Sequence, residues 1–575
     1  MTTREEHTVP LSINAETVPP KSSGRYWVFI AAIAPVVIAL AAVYWSHLHP
    51  FGTNWDESIY LNEVQVDTQR LQGGMLLKLA GRTLIKSYGR PPAYRFLSVP
   101  FLAAFGYHTT TARLVSIACF GLSAWLIYLT ARRIGSPTAG AFAALIFCLS
   151  PQIVSASIWF GTEGPLYVAT AAILYYVCAS WSGTPEESRA WLGIGLAMGL
   201  GLLAKVSFVA IGFPLLVYWV VMDRSGYLGP SKPTWWWKTG LLALIVAAPW
   251  WVPNIKYAIE STESARGFVR HSLGPLTFAT LIKWSSSVVQ SLFGYGLTIL
   301  IVLVVIAFLR KAFLQRETIL NPSQRAALGA CACAGVPIII AQLTGTNHLL
   351  RHISPSVIPL AIAIGIIADR TGWVRSRTAG VISSILLYTQ LLMIVVPVLF
   401  PNNHEIDRGL VNGVLPWRIM VRHEQWDWDP VLRISQGCGL HAPKISYLGG
   451  GESFNQPAIE FPWAANVLLT HVATADYPQV ESLKKFSEAI DWQKIMNSAS
   501  QSDLVITAPG YIGRMDVREG IDNGYNAEFA DRLSHDPRFQ GPVRLQMGRF
   551  KPIEVDVFLN SSLRCHSGLP ASATY

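Results

Sequence analysis

The stretch HPFGTNWDESIY, residues 49–60, places two adjacent acidic residues, Asp56 and Glu57, just outside the first hydrophobic segment of the chain. After Asp67 no further Asp or Glu appears until Glu163, whereas Arg and Lys recur throughout that interval. Glu163 itself stands directly before another apolar segment. Acidic residues held beside a basic loop, next to hydrophobic segments, predict a site for chemistry on a phosphate carried by a lipid.

The segments around this stretch predict a polytopic membrane protein. Of the 575 residues, 51% are hydrophobic and only 14% are charged, whereas soluble proteins carry about 25% charged residues. Apolar stretches of about 18 residues are long enough to cross a bilayer core of about 30 Å as helices. We expect about eleven such spans, at residues 27–46, 111–131, 137–154, 164–181, 190–204, 206–222, 236–253, 288–309, 326–343, 354–369 and 379–400.

The distribution of positive charge predicts the topology of these spans. The net charge of +10 does not indicate a nucleic-acid partner, because the basic residues cluster in short loops between spans. Such loops are cytoplasmic by the positive-inside rule. The N-terminus is then inside, and the outer segments are residues 47–110, 155–163, 254–287, 344–353 and everything after 400.

The chain divides into three parts by composition. Residues 1–25 read as a disordered cytoplasmic tail, residues 26–400 as a transmembrane domain with an external loop at 47–110, and residues 401–575 as an extracytoplasmic α/β domain. In this last part we expect helices at 477–490 and 527–533, and strands at 444–448, 467–471, 504–507, 543–546 and 554–559. Cys438 and Cys565 lie in it, where a disulfide is an open alternative to two free thiols.

The external loop carries cations suited to a phosphate. Four basic residues recur at every fourth position and share one face of an amphipathic helix, namely Lys78, Arg82, Lys86 and Arg90. Such a helix lies in the headgroup plane, and simple docking to anionic lipid is one interpretation of its charge. Arg90 differs because Pro91 and Pro92 stiffen the backbone after it, and a guanidinium binds phosphate oxygens in a bidentate manner.

Three further ionisable residues stand at predicted external span ends: Glu163, Lys205 and Arg351. Such residues near the bilayer are costly and are functional candidates, although Lys205 also fits a lysine that snorkels to the interface. We expect the acids to accept a proton and the cations to stabilise a departing phosphate. The carboxylate oxygens of Asp56 and Glu57 also suit a divalent cation such as Mg²⁺ or Mn²⁺. The basic side chains can take the place of such an ion, and we therefore predict no cofactor with certainty.

Six motifs of the chain resemble those of the GT-C class of membrane glycosyltransferases, in particular glycosyltransferase family 39 and the bacterial aminoarabinose transferases. The similar motifs cover most of residues 27–370 in order: WDESIY (55–60), GRPPAYRFLSVPFLAAFG (89–106), ARLVSIACFGLSAWLIYLTARRIG (112–135), TEGPLY (162–167), GLAMGLGLLAKVS (195–207) and RHISPSVIP (351–359). The resemblance implies an inverting transferase that takes a sugar from a polyprenyl monophosphate at the outer face of a bacterial inner (plasma) membrane.

The resemblance also implies roles for single residues. Asp56 matches the acid that acts as base or orients the acceptor, Glu57 its acidic neighbour, and Lys205 a lysine on the phosphate side. Three positions depart from the family: Arg90 stands where Lys is common, Glu163 where Asp is common, and the residue after Arg351 is His352 instead of Tyr. Lys78 joins Arg90, Lys205 and Arg351 as a candidate donor-phosphate ligand.

Three functions remain open from the sequence. The first is transfer from a polyprenyl-phosphate sugar, in contact with membrane lipid, to an envelope glycan, lipid or protein. The second is a transporter or flippase of a lipid-linked sugar, for which ionisable residues near the bilayer midplane are expected instead. The third is a non-catalytic anchor for the 401–575 domain, for which eleven spans are far more than needed.

Overall fold

The computed structural model describes most of the residues of the chain. These are 22–53, 55–85, 90–181, 188–228, 232–266, 277–315, 319–345, 348–399, 425–450, 454–466, 478–483, 490–511, 523–548, 552–565 and 572–574. Most of the proposed N-terminal tail and the predicted strand at 467–471 lie outside the described residues. The first helix begins at Ser22, within the segment expected to be disordered.

The first four hundred residues fold as helices. In chain order they are α1 Ser22–Leu48, α2 Trp55–Gln72, α3 Leu76–Ala80, α4 Ala93–Phe105, α5 Thr109–Ile134, α6 Pro137–Cys148, α7 Pro151–Ile158, α8 Glu163–Ala179, α9 Ala190–Ala204, α10 Val209–Arg224, α11 Pro233–Arg266, α12 Phe278–Ser287, α13 Gly294–Gln315, α14 Pro322–Leu343, α15 Val357–Arg370 and α16 Arg377–Leu399. Wide π-type turns follow α3 at Gly81–Ile85 and α12 at Val288–Phe293.

Seven of the described helical segments are long and apolar enough to cross a membrane, and the pair α6 and α7 raises this to eight if it is one span. That pair bends by 66° because Pro151 has no N–H to continue the helix. Helices α8, α9 and α15 have 17, 15 and 14 residues and fall short of a full crossing by length. The prediction of a polytopic helical protein is confirmed, whereas the number eleven stays a prediction.

Helices α5, α6, α8 and α15 form the interior of the bundle. Nearly every residue of α6 is buried, and α15 approaches it so closely that a Cβ at Gly365 would lie 2.6 Å from the carbonyl oxygen of Ala139. Small residues permit such approach between membrane helices. Large apolar side chains on the outer helices are exposed, for example Leu40 and Ile385, as expected for a surface that faces lipid.

The C-terminal part is an α/β domain around one six-stranded sheet. Its helices are α17 Asp429–Gly437, α18 Gln456–Asn466, α19 Trp492–Ala499 and α20 Asn526–His535, and its strands are β1 Lys444–Tyr447, β2 Gln479–Ser482, β3 Leu504–Thr507, β4 Phe539–Met547, β5 Ile553–Asn560 and β6 Ser572–Thr574. The strand order is β2-β1-β3-β5-β4-β6. Strand β1 runs parallel to β2 and β3, whereas β5 is antiparallel to β3 and β4.

Most predicted elements of this domain are present, and one is wrong. The predicted helix at 477–490 contains β2 instead, and residues 484–489 lie outside the described part. Val480 of β2 is buried and faces Ile445 in the parallel register with β1. Pairing with a neighbouring strand therefore overrides the helical pattern of the local sequence.

A disulfide joins Cys438, directly after α17, to Cys565, which follows β5. It closes a loop of 127 residues that contains β1 to β5. The other five cysteines are free, and four of them are buried, as expected for small apolar packing residues.

We predict that reducing the Cys438–Cys565 disulfide lowers the melting temperature of the C-terminal domain. A cross-link over a loop of roughly this length stabilises a fold by about 4–5 kcal/mol in the chain-entropy model. Differential scanning calorimetry with and without reductant measures the effect in wild type and in a Cys438→Ala/Cys565→Ala variant. The double variant should melt at a lower temperature than wild type, and reductant should not change its melting temperature. Cys333→Ala, at a free and half-buried cysteine, serves as the control. Equal melting of all three proteins would contradict the prediction.

Candidate active site

Helix α2 carries different chemistry on three faces, at about 100° per residue. Asp56, Tyr60, Glu63, Asp67 and Arg70 form the charged face. The amide face consists of Ser58, Asn62, Gln65 and Gln69, which are all buried. The third face holds Glu57, Leu61, Val64 and Thr68, and its apolar members join a small core with Tyr94 and Phe160. Adjacent acids on α2 therefore point to different neighbours.

Glu57 is fully buried and pairs with Arg113 of α5. The guanidinium donates from Nε to Glu57 Oε1 at 2.8 Å and from Nη2 to Oε2 at 2.9 Å. The carboxylate also accepts from the backbone N–H groups of Thr53 and Phe160, each at 2.8 Å. Burial opposes its charge, but Arg113 and these donors outweigh burial and lower the pKa of Glu57.

Arg113 reaches beyond Glu57 to the end of the first helix. Its remaining N–H groups donate to the Ser46 hydroxyl and to the carbonyl groups of His49 and Phe51. The guanidinium also lies 5.0 Å from the ring centroid of Trp45, at a distance suited to a cation–π contact. One buried side chain thus fixes α1, the loop that follows it and α2 against α5.

Four predicted site residues form two ion pairs at one end of the bundle. Lys205 Nζ donates to Glu163 Oε1 at 2.8 Å, and Arg351 Nη2 donates to Asp56 Oδ2. Asp56 keeps 35% of its side chain exposed, whereas Glu163 keeps 4%. The two acids and two cations come from four separate parts of the chain, and they alternate in charge.

Tyr60 lies between these pairs. A Cβ added at Gly161 would lie 3.2 Å from Glu163 Oε2 and 3.3 Å from the Tyr60 ring, so glycine keeps the two side chains close. Burial, and then the charges of Asp56 and Glu163, raise the pKa of Tyr60. Its hydroxyl therefore stays protonated and can donate a hydrogen bond within the site.

Arg351 is held in place by its surroundings. Its guanidinium lies 5.6 Å from the centroid of Trp159. Its backbone carbonyl accepts from the Ser354 hydroxyl at 2.7 Å, and that hydroxyl also bonds to Tyr167 of α8 at 2.6 Å. The turn that carries Arg351 is thereby tied to the helix that begins at Glu163.

The other predicted cations lie apart from the two pairs. Arg90 Nη1 donates to Glu63 Oε1 at 3.3 Å, and Tyr94 donates to the second oxygen of the same carboxylate. Arg90 sits near enough to Tyr60 to influence its pKa. Lys78 lies on α3 and is exposed, and Lys86 lies outside the described residues.

The residues present do not form a metal site at Asp56 and Glu57. Both oxygens of Glu57 are occupied by Arg113, and Asp56 binds Arg351 on a different face of α2. In the described part of the chain, no three His, Cys, Asp or Glu side chains converge in a way that would hold a metal. We therefore derive no step through a metal ion.

The C-terminal domain packs on the amide face of α2. Asn62 Nδ2 donates to the Pro457 carbonyl at 2.9 Å, and Gln69 Nε2 donates to the Ala464 carbonyl at 3.2 Å. Before α2, the Phe51 N–H donates to Gln425 Oε1 at 2.9 Å. Helix α18 thus lies along the helix that carries Asp56.

Three site residues escaped the sequence analysis. Tyr60 and Glu63 follow Asp56 at spacings of four and seven, which place them on one helical face, but a helix over 55–72 had not been predicted. Arg113 stands at the start of a predicted span, where an arginine normally reads as an interfacial residue. Its isolated charge at the external end of a span was a signal, but nothing in the sequence identified Glu57 as its partner.

Parts of the chain are similar in sequence to known membrane glycosyltransferases. The model of the family described as dolichyl-phosphate-mannose-protein mannosyltransferase matches residues 89–252. Among curated relatives, an undecaprenyl phosphate-alpha-4-amino-4-deoxy-L-arabinose arabinosyl transferase 2 of Pseudomonas fluorescens is 28% identical over 173 residues, 29% of each chain. The corresponding transferase 1 of Proteus mirabilis is 28% identical over 200 residues, 31% of this chain and 36% of the relative. The chain thus matches only about a third of the length of these relatives.

Solved structures match over much more of the chain. ArnT from Cupriavidus metallidurans, bound to undecaprenyl phosphate, superposes with a TM-score of 0.52 at 14% identity, over 93% of this chain and 98% of that one. The mycobacterial arabinofuranosyltransferase AftD superposes with a TM-score of 0.55 at 12% identity, over 93% of this chain and 40% of that one. The predicted fold class and the resemblance to GT-C, aminoarabinose transferase-like proteins are confirmed, and the chain is a multi-pass membrane protein.

We predict that Glu57→Gln destabilises the protein near neutral pH, because it leaves Arg113 as a buried charge without its counter-ion. Breaking a buried pair from one side costs about 3–5 kcal/mol. Thermal melting in detergent measures the loss, and the exposed Glu260→Gln change is the matched control.

The same pair predicts a pH dependence. The pKa of Glu57 is lowered in the fold from its ordinary value of 4.5, so its stabilisation is present above that pH and is lost as the pH falls through the folded-state value. Wild type should therefore lose stability below about pH 4.5 more steeply than Glu57→Gln does. Parallel acid profiles for the two proteins would show that Glu57 carries no such shift.

Proposed function

We propose that this protein is an inverting glycosyltransferase that moves a sugar from a polyprenyl-monophosphate donor to an envelope acceptor. The observation that carries the proposal is the convergence of Asp56, Glu163, Lys205 and Arg351 at one end of the bundle. The matched relatives are named as transferases that use undecaprenyl-phosphate aminoarabinose, and the similar ArnT structure holds undecaprenyl phosphate.

We propose that this end is the outer face of the bacterial inner membrane. The Trp27 indole at the start of α1 donates to the Val374 carbonyl at 3.3 Å, in the basic loop before α16. Lys311 donates to the Arg370 carbonyl at 2.7 Å at the same loop. The N-terminal helix therefore starts beside basic loops, which favour the cytoplasmic side, and the C-terminal domain then lies outside. The proposed domains are a catalytic domain up to residue 400 and an outer domain over 401–575, and the proposed 1–25 tail is shortened because α1 begins at Ser22.

Exposure distinguishes the two acids. Asp56 is the acid that solvent and an acceptor can reach, with 35% of its side chain exposed. Glu163 is almost fully buried and bonded to Lys205. Asp56 therefore acts as the general base, and Glu163 positions Lys205 and Tyr60 around the reacting centre. Glu57 supports Asp56 through the backbone of the same helical turn.

The cations bind the donor phosphate by exchanging partners. In the structure Arg351 pairs with Asp56, and Lys205 pairs with Glu163. A phosphate that enters between them offers a stronger charge and bidentate geometry for the guanidinium. Asp56 then loses its hydrogen bond from Arg351 and becomes free to accept a proton, so donor binding and activation of the base are coupled. Arg90 and Lys78 lie further along the external loop at 47–110 as additional cations.

The transfer step requires only Asp56, Arg351 and Lys205 from the protein. An acceptor hydroxyl attacks the anomeric carbon from the face opposite the phosphate, and its proton passes to Asp56. The bond between the anomeric carbon and the phosphate oxygen breaks, and the electron pair leaves with polyprenyl phosphate. Arg351 and Lys205 stabilise the charge that develops on the phosphate. Backside attack inverts the configuration.

The arrangement does not favour a flippase. A carrier that couples ions to transport is expected to hold its ionisable groups near the bilayer midplane. Asp56 lies in the first turn of α2, and Glu163 in the first turn of α8, both at the end of the bundle. None of the matched proteins described above is named as a transporter.

The C-terminal domain completes the site from outside. It bonds to Asn62 and Gln69 on α2, and a shallow recess between the two parts is lined by Gly52, Ser58, Trp428 and Phe461. Ser58 belongs to the amide face that begins next to Asp56. We propose that this domain fixes the axis of α2 and borders the path of the acceptor, which is a glycan, lipid or protein of the envelope.

We predict that Asp56→Asn lowers turnover by about 100-fold to 10,000-fold, the usual contribution of a general base, and does not weaken donor binding, because it removes the charge that competes with the donor phosphate for Arg351. The measurement is release of polyprenyl phosphate by purified protein in lipid, with a panel of polyprenyl-phosphate sugars and an envelope extract as acceptor. Glu260→Gln, an exposed acid away from the site, is the control and should keep wild-type turnover. Full activity of Asp56→Asn would remove Asp56 from the catalytic role.

We predict that Lys205→Gln raises the apparent KM for the lipid donor by about tenfold to a hundredfold, because a hydrogen bond to a charged group contributes about 1.5–3 kcal/mol. Steady-state kinetics with varied donor measures it. Lys205→Arg keeps the charge and should recover most of the affinity. A lower turnover with unchanged KM would instead assign Lys205 to stabilisation of the transition state alone.

A further inference from the structure

The charged face of α2 continues beyond the proposed active site. It passes from Asp56 through Tyr60 and Glu63 to Asp67 and Arg70. Arg70 lies 14 residues beyond Asp56, about 21 Å along the helix at about 1.5 Å per residue. The groups at this far end have no part in the transfer step described above.

Three guanidinium groups gather around Asp67. Arg95 of α4 lies 2.5 Å from Asp67 Oδ2, and both side chains are almost fully buried, at 2% and 0% exposed. Arg82, from the wide turn after α3, lies 3.9 Å from Asp67 Oδ1. Arg70 follows Asp67 by one helical turn, and burial together with the charges of Arg82 and Arg95 lowers its pKa. Three positive charges therefore share one negative charge.

This excess is not balanced by other side chains in the described part of the protein. There, Arg82 has no carboxylate other than Asp67 within 4.0 Å, and Arg70 has none. The nearest acid on the same face, Glu63, is engaged by Arg90 and Tyr94. Arg95 already pairs with Asp67 Oδ2 at 2.5 Å and takes up the one negative charge, so Arg70 and Arg82 carry a net charge that an external anion can neutralise.

Exposed apolar side chains lie beside this cluster, as on a protein surface that contacts a membrane. Leu76, Leu77 and Ile85 are 59%, 91% and 58% exposed, on the short helix and wide turn that also carry Arg82. Such apolar side chains are stable when they insert at the boundary between headgroups and acyl chains. The Arg82 guanidinium on the same segment, and that of Arg70 beside it, then lie at the depth of lipid phosphates, where each is attracted to anionic lipid.

We propose that Arg70 and Arg82 form a binding site for the phosphate group of an anionic membrane lipid, separate from the donor site. Arg82 is 30% exposed and Arg70 is half-buried, so both guanidinium groups are reachable from the surface. Arg95 is buried and holds Asp67 against α4. Lipid binding here anchors the far end of α2, whose first turn carries Asp56. The site follows from the cluster itself and is independent of the proposed transfer activity.

The test is lipid binding by the delipidated full-length protein in detergent. The rise in melting temperature is followed during titration with short-chain phosphatidylglycerol, and separately with phosphatidylcholine and with inorganic phosphate. Wild type and the control Lys256→Gln, an exposed cation elsewhere, should respond to phosphatidylglycerol with the same apparent Kd. Arg82→Gln and Arg70→Gln should each raise that Kd about tenfold, the loss of one charge-assisted contact, and Arg82→Lys should stay near wild type.

The three titrations distinguish a site for an anionic lipid from a site for free phosphate. Weak binding of phosphatidylcholine and of inorganic phosphate is expected, because the site combines charge with an apolar border. Inorganic phosphate that binds as tightly as phosphatidylglycerol, or an equal Kd for all variants, would overturn the lipid site. If Arg82→Gln does not fold, Arg70→Gln decides the matter, since the described Arg70 side chain pairs with no carboxylate.

Discussion

The buried pair between Glu57 and Arg113 is the contact on which the geometry of the proposed active site depends. It joins the first turn of α2 to α5, and Arg113 also binds the carbonyl groups that follow α1. A charge buried this deeply is tolerated only when nearly all its hydrogen-bonding capacity is used. That demand fixes the direction of the helical turn, and Asp56, its neighbour, is thereby aimed at Arg351.

In the proposed active site each cation is consequently held by an acid. Such pairing keeps Lys205 and Arg351 near the position that a phosphate would occupy, and little reorganisation is needed when the donor enters. The docking of α18 on the opposite side of α2 keeps that helix from tilting during the exchange.

The sequence predicts the helical membrane fold well because apolar length and the position of charges are local properties. The four residues of the two ion pairs were also found, because each stands at a predicted external span end. Sequence analysis did not reveal which cation pairs with which acid, since Asp56 and Arg351 are separated by 295 residues. Nor did it separate Glu57 from Asp56, because the helical geometry that directs them apart depends on Arg113. The error at 477–490 has a similar origin, as β2 is defined by its pairing with β1.

A structure of the protein in lipid with polyprenyl phosphate bound tests the central claim most directly. We expect the phosphate oxygens within hydrogen-bonding distance of Arg351 and Lys205, with the Asp56 carboxylate released from Arg351 and facing the open side of the site. A phosphate bound elsewhere, with the Asp56–Arg351 and Glu163–Lys205 pairs intact, would contradict the exchange of partners and the role of Asp56 that follows from it.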